Sequence, residues 1–246
     1  AAAINEGAVD TASSFSVPGS QVFDKGTQWE YKVTDAYPHG LEDMSVRKIF
    51  VDSSNIGTIQ ISRTLDTKKN HEYLKLFGFG TRTSVEYPGE SRGSLRPVSK
   101  WQGTEKFSFS YGYGYTSTAL QLAAAVNVVA NKGVYVAPKM LLKSTDKDGT
   151  TISTPASATH QVLSASTAQT MTALMTDVVC YGTGKLAKMP GISVAGKTGT
   201  AYKLQDNGTY TNDEGARTYF ASFVGFLPAN NPRMTVLVSI DEPDPY

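Results

Sequence analysis

The sequence predicts an α+β domain, and three observations carry that prediction. Between about residue 40 and residue 190 the apolar positions recur mostly at helical spacing, and after Pro190 that spacing gives way to strand-like runs. The runs are joined by polar, turn-forming segments, so an antiparallel meander follows. With 40% apolar and 18% charged residues in 246, the chain has the material for a buried core and is neither disordered, collagenous nor coiled-coil. The expected organisation is one domain over 1–246, with 1–190 as a mostly helical lobe packed on the antiparallel sheet portion of 191–246.

The elements follow in order. Ala1-Ala-Ala-Ile-Asn-Glu-Gly7 reads as the last turns of a helix, because alanine propagates helix, Gly7 suits the position after its end, and no capping residue precedes it. Met234 to Asp241 reads as a strand with no helix behind it, so the domain is expected to be truncated at both ends. Residues 8–40 are turn-rich and suit short strands or loops. Val46, Ile49 and Phe50, then Ile56 and Ile59, lie at helical spacing on either side of Asp52-Ser-Ser-Asn55, which predicts a helix–turn–helix with Ser53 and Asn55 at the turn. Thr67 is expected to cap a helix through Phe77, and Thr118 one over 119–131 that ends at Gly133. A long helix is expected from about Ser166 to Tyr181, and strands over 193–202, 217–226 and 234–240 with a polar loop at 205–215.

Composition narrows the chemistry. Lys plus Arg total 23 against 22 Asp plus Glu, a net charge of +1 with no block of one sign, which argues against nucleic acid or anionic lipid as a partner. Cys180 is the single cysteine, and His39, His71 and His160 lie far apart, so neither a disulfide framework, a metal site nor a cofactor is expected. No apolar run approaches the roughly 20 residues of a membrane span, and the chain is expected to be soluble.

Two motifs stand out. In Gly196-Lys-Thr-Gly-Thr-Ala201 the period of two puts Thr198 and Thr200 on one face of a strand and Lys197 and Gly199 on the other. Two hydroxyls, a cation and a position without a side chain suit a peptide-like ligand with a carboxylate, although a lone Lys-Thr-Gly is usually an ordinary strand with a bulge. Ser53-Ser54-Asn55 taken alone is usually a cap or Asx-turn. In combination, Ser-x-Asn followed far downstream by Lys-Thr-Gly resembles two of the three motifs of the penicillin-binding proteins and serine β-lactamases. The chain is most similar in pattern to the transpeptidase domain of a class B penicillin-binding protein. Asp52-Ser-Ser-Asn-Ile-Gly57, Phe77-Gly-Phe-Gly-Thr-Arg-Thr83, Pro88-Gly-Glu-Ser-Arg-Gly93, Tyr111-Gly-Tyr-Gly-Tyr115, Ala119-Leu-Gln-Leu-Ala123 and Ala195-Gly-Lys-Thr-Gly-Thr-Ala201 occur in the family's order across nearly all of the chain. Ala119 stands where the family usually has Pro, a mild change at a helix start.

The resemblance implies a penicillin-binding-protein-like fold and a peptidoglycan D,D-transpeptidase, an acyltransferase working through a serine acyl-enzyme. The third motif, Ser-x-x-Lys, is expected before Ala1. Ser45-Val-Arg-Lys48 reads as a helix cap beside a solvated turn, and Ser144-Thr-Asp-Lys147 as part of a flexible loop. In the implied roles Ser53 and Asn55 relay protons and orient the substrate amide, and Lys197 lowers the pKa of the base lysine. The Thr200 N–H serves the oxyanion, Thr198 and Thr200 with Lys197 bind the terminal carboxylate past Gly199, and Tyr113 lines the acyl-donor cleft or packs. The implied partners are the D-Ala-D-Ala stem peptide and β-lactams. The full-length protein would be membrane-anchored on the extracytoplasmic face, in a division or elongation complex that sets cell shape, while this piece alone would be inactive and would associate with itself or with a complementary chain. The alternatives are a non-catalytic scaffold module of the same fold, or a β-lactamase or D,D-carboxypeptidase, against which the 144-residue spacing from Ser53 to Lys197 argues. On the transpeptidase reading Ser53 and Lys197 face one cleft.

Overall fold

The computed structural model describes residues 1–203, 205, 210, 211 and 215–244. A short helix α1 (Ala2–Asn5) leads into two ribbons, in which β1 (Ser14–Val17) pairs antiparallel with β4 (Glu42–Ser45) and β2 (Ser20–Phe23) with β3 (Tyr31–Thr34). Then come α2 (Val46–Asp52), α3 (Asn55–Ser62), α4 (Thr67–Leu76), α5 (Glu105–Ser108) and α6 (Ala119–Ala130). Two further ribbons pair β5 (Val134–Val136) with β8 (Thr159–Gln161) and β6 (Lys143–Thr145) with β7 (Thr151–Ser153). The long α7 (Ala165–Tyr181) precedes a three-stranded antiparallel sheet of β9 (Ala195–Tyr202), β10 (Tyr219–Leu227) and β11 (Met234–Asp241), in the order β11-β10-β9. The mixture is α+β, and no helix among the described residues is long and apolar enough to cross a membrane.

Most predicted helices lie where the periodicity put them, with changes at their ends. Ser45 caps α2 by accepting the Lys48 N–H, and Thr118 with Gln121 closes a reciprocal capping box on α6, each cap contributing on the order of 1 kcal/mol. Asp66, rather than Thr67, caps α4 by accepting the Lys69 N–H, and α7 starts at Ala165 under a Ser164 cap. Ser144 lies in β6, so the polar run expected as a flexible loop is partly a ribbon. Most of the loop expected at 205–215 lies outside the described residues. The lobe expected to be mostly helical also carries eight short strands, whose residue alternation is too brief to be separated from turn signals.

Two cores hold the site's elements. Val128 and Val129 of α6, Leu174 and Met175 of α7, and Ala195 and Phe226 of the sheet form one, so α6 and α7 both pack beneath the sheet. Val17, Phe23 and Val33 of the ribbons close over Ile49 of α2, Ile56 and Ile59 of α3 and Phe107 of α5 in the other. Glycines let α2 meet its neighbours closely. A Cβ on Gly57 would lie 2.6 Å from Ile49 Cγ1, and one on Gly182, just past α7, would lie 2.5 Å from the Val51 carbonyl oxygen. The second contact is against backbone, which cannot turn aside. Gly182→Ala should therefore destabilise the fold by about 1–3 kcal/mol through overpacking, read as a lower midpoint in denaturant with an unchanged slope.

Candidate active site

The two motifs converge across 144 residues of chain. Lys197 Nζ donates to Ser53 Oγ at 2.8 Å and lies 3.3 Å from the Thr198 carbonyl oxygen. Ser53 ends α2 in the left-handed region, φ +61° and ψ +42°, a conformation that costs an L-residue roughly 1–2 kcal/mol. It is followed at once by Ser54, which caps α3 by accepting the Gly57 N–H at 2.9 Å. The chain therefore reverses from one helix to the next within two residues, and the left-handed residue is the one that touches Lys197.

On β9 the alternation holds as read. Lys197 stands opposite Val224 of β10 and Thr198 opposite Phe223, so the two side chains leave opposite faces. Because β9 is an edge strand, both faces are reached around one rim. Ser53 meets Lys197 on one side, and on the other the hydroxyls of Thr183 and Thr198 lie 2.6 Å apart. A Cβ on Gly199 would come 2.8 Å from Ser222 Oγ, so a neighbouring strand makes the close approach there. Thr200 lies opposite Ala221, on the Thr198 face.

The remaining candidates are placed as follows. Asn55 opens α3, and its amide donates to the Thr34 carbonyl at 2.9 Å. Tyr113 reaches the far end of β9, where its hydroxyl accepts the Tyr202 N–H at 3.3 Å, and it lies among the rings of Tyr111, Tyr202 and Tyr210. Packing and a wall beside β9 are thus one arrangement. Lys48 pairs with Asp52 at 2.7 Å, and its N–H binds Ser45 Oγ, so the Ser45–Lys48 pair is a cap with an ion pair beside it. His71 and His160 direct a ring nitrogen to the carbonyls of Arg96 and Leu76, and Cys180 is half-buried.

Three residues that the sequence did not single out belong to the site's frame. Thr183 touches Thr198, and Asp35 and His39 lie behind the Ser53-Ser54-Asn55 turn. Asp35 Oδ2 accepts the Ser54 hydroxyl at 2.5 Å and Oδ1 accepts the Ile56 N–H at 3.1 Å. A lone Asp after a short strand carries no periodic signal.

Burial draws the Lys197 ammonium down to about 8, with its bonds going to a hydroxyl and a carbonyl. An amine so poised sheds its proton far more readily than a solvated lysine. Because the folded value lies below the unfolded one of about 10.4, the unfolded chain binds more protons between the two values, and stability rises with pH across that window. Measured by chemical unfolding, the protein should gain on the order of 2 kcal/mol between pH 7 and pH 9.5 relative to Lys197→Met, which lacks the titrating group.

Comparison with known proteins points one way. A family model described as the penicillin binding protein transpeptidase domain matches residues 1–246. Penicillin-binding protein PbpB of Mycolicibacterium smegmatis is 34% identical over 251 residues, covering 99% of this chain and 37% of the relative. The probable peptidoglycan D,D-transpeptidase PenA of Neisseria flavescens is 34% identical over 244 residues, covering 99% of this chain and 55% of that protein. The crystal structure of penicillin-binding protein 3 from Mycobacterium tuberculosis complexed with aztreonam superposes with a TM-score of 0.90 at 33% identity, over 98% of this chain and 54% of that one, and the same protein is known complexed with ampicillin. The chain thus spans about half or less of the length of these relatives.

Proposed function

The chain belongs to the penicillin-binding protein transpeptidase domain family, as a class B member, and on that premise we propose that it is the greater part of a serine D,D-transpeptidase site that cross-links peptidoglycan by acyl transfer. The observation that carries this reading is the 2.8 Å bond from Lys197 Nζ to Ser53 Oγ, which brings two distant motifs to one point. Neither Ser-x-x-Lys of the 246 residues lies there, since Ser45 caps α2 and Ser144 lies in an exposed ribbon, so the reading takes the acylated serine and its lysine from elsewhere in the full protein.

The roles follow from position. The nucleophilic serine attacks the carbonyl of the penultimate D-Ala and becomes acylated as its proton passes to its lysine and the bond to the terminal D-Ala breaks. Ser53, hydrogen-bonded to a lysine that burial makes a ready donor, hands a proton to the departing amine and draws one back through Lys197. Thr198 and Thr200 line one face of an edge strand along which an extended peptide can lie, with its terminal carboxylate on their hydroxyls and its scissile carbonyl toward the Thr200 N–H. The acyl-enzyme then passes to the amine of a second stem peptide. A β-lactam enters the same route and stops at the acyl-enzyme, in line with the aztreonam and ampicillin complexes of the mycobacterial relative. The full protein, on this reading, is anchored to the membrane and works on its extracytoplasmic side in a division or elongation complex.

The full-length protein should take one equivalent of a fluorescent penicillin per molecule, and Lys197→Ala should slow that labelling by about 10²-fold or more. A polypeptide limited to the 246 residues should take none. Mass spectrometry distinguishes the readings: no adduct on the full-length protein favours a non-catalytic module of this fold, and an adduct on Ser45 or Ser53 overturns the assignment of roles.

A further inference from the structure

We propose that Asp35 is a positioning residue for the Ser53–Lys197 pair, fixing the Ser53-Ser54-Asn55 turn from behind; its kinetic consequence rests on the transpeptidase reading. Asp35 follows β3, and its side chain is 6% exposed. Its carboxylate is shared among three donors: Oδ1 takes the Ile56 N–H at 3.1 Å, while Oδ2 takes the Ser54 hydroxyl at 2.5 Å and faces His39 Nε2 at 3.1 Å. Thr34, one residue earlier, accepts the Asn55 amide through its carbonyl. Two consecutive residues thus grip each of the three that follow Ser53.

Ser53 needs that grip because it sits at φ +61°, which an L-residue abandons unless its neighbours are fixed. On its N-terminal side α2 holds it, and its own N–H reaches the Ile49 carbonyl. On its C-terminal side the hold is Ser54, 3% exposed, whose hydroxyl accepts the Gly57 N–H and donates to Asp35. The Ser54 N–H also bonds the Ile49 carbonyl at 3.0 Å. Without the Asp35 acceptor the buried hydroxyl proton is unpaired, the turn loses its tie to the end of β3 and pivots on that N–H, and Ser53 Oγ moves off Lys197 Nζ. His39 completes the anchor. Its Nδ1 lies 2.8 Å from the Gly40 carbonyl and its Nε2 3.1 Å from the carboxylate, so both ring nitrogens face acceptors, and the Asp35 side chain holds the His39 imidazole's pKa above its usual value. The Asp35 carboxylate bonds go to Ser54, Ile56 and His39, so it acts on Ser53 through the turn's backbone and cap.

The test uses the full-length protein, wild type beside Asp35→Asn and Asp35→Ala. The rate constant and the end-point of labelling by a saturating fluorescent penicillin are recorded, together with the Ser53 Oγ to Lys197 Nζ separation in crystals of Asp35→Asn. The Asp35→Asn change keeps the shape and an acceptor for the Ile56 N–H while leaving the Ser54 proton unpaired, so the expected result is a labelling rate constant lowered about tenfold with an undiminished end-point. Asp35→Ala, where it folds, should lose about 10²-fold. A merely stabilising Asp35 would lower the melting temperature and the labelled fraction and leave the rate constant within about twofold of wild type, which overturns the proposal. A wild type that takes no label overturns the transpeptidase reading instead. In that case the crystal separation decides positioning: a pair parted beyond hydrogen-bond reach sustains it, and a retained 2.8 Å contact refutes it.

Discussion

A left-handed serine is the constraint around which the site is organised. Ser53 can present its hydroxyl to Lys197 only because the chain turns there at φ +61°, and that turn exists only while α2 holds one side and the buried Ser54 cap holds the other. The placement of α2 depends in turn on Gly57 beneath the Ile49 side chain and on Gly182 against the Val51 backbone, two positions with no room for a Cβ. Strain stored at one residue is thus sustained by packing spread over two helices and the end of a third.

Lys197 carries the complementary half. It emerges from the face of β9 that packs toward α7, beyond Ala195 and beside Val224, so its amine is withdrawn from water by the same burial that secures the strand. Its bonds are to a hydroxyl and a main-chain carbonyl, which satisfy an amine without fixing its charge as a carboxylate would. Thr198, one residue on, faces the other way and meets Thr183 after α7. One edge strand therefore gives the site an amine-bearing side and a hydroxyl-lined side, and Ser53 and Thr183 supply a partner to each.

Much of this was legible in the residues. Helix periodicity placed α2, α3, α6 and α7 because each buries a broad apolar stripe, and Thr118 and Ser45 announced their own caps. The alternation in Lys197-Thr-Gly-Thr200 gave the two faces of β9 correctly because a strand leaves no other choice. What stayed hidden was set by distance in the chain. Asp35, His39 and Thr183 owe their places to partners outside any local window, and the ribbons β5–β8 run only three residues each, too short for a pattern of period two to declare itself. Asp66 and Thr67 are both capping residues, and only the reach to the Lys69 N–H, which the sequence does not show, makes Asp66 the cap.

The 144 residues separating Ser53 from Lys197 have a consequence for how the site comes into being. Local contacts form first in a folding chain, and contacts that close long loops wait until intervening elements have collapsed. Here the wait is long, because α6 and α7 must settle under the sheet before β9 has a fixed rim, and α2 must dock beside α7 before Ser53 has a fixed position. A chain with only one lobe in order holds an ordinary turn or an ordinary strand and no Ser53–Lys197 contact. Assembly of the pair therefore waits on both lobes, and the Ser53–Lys197 contact arrives together with the finished tertiary structure rather than in advance of it.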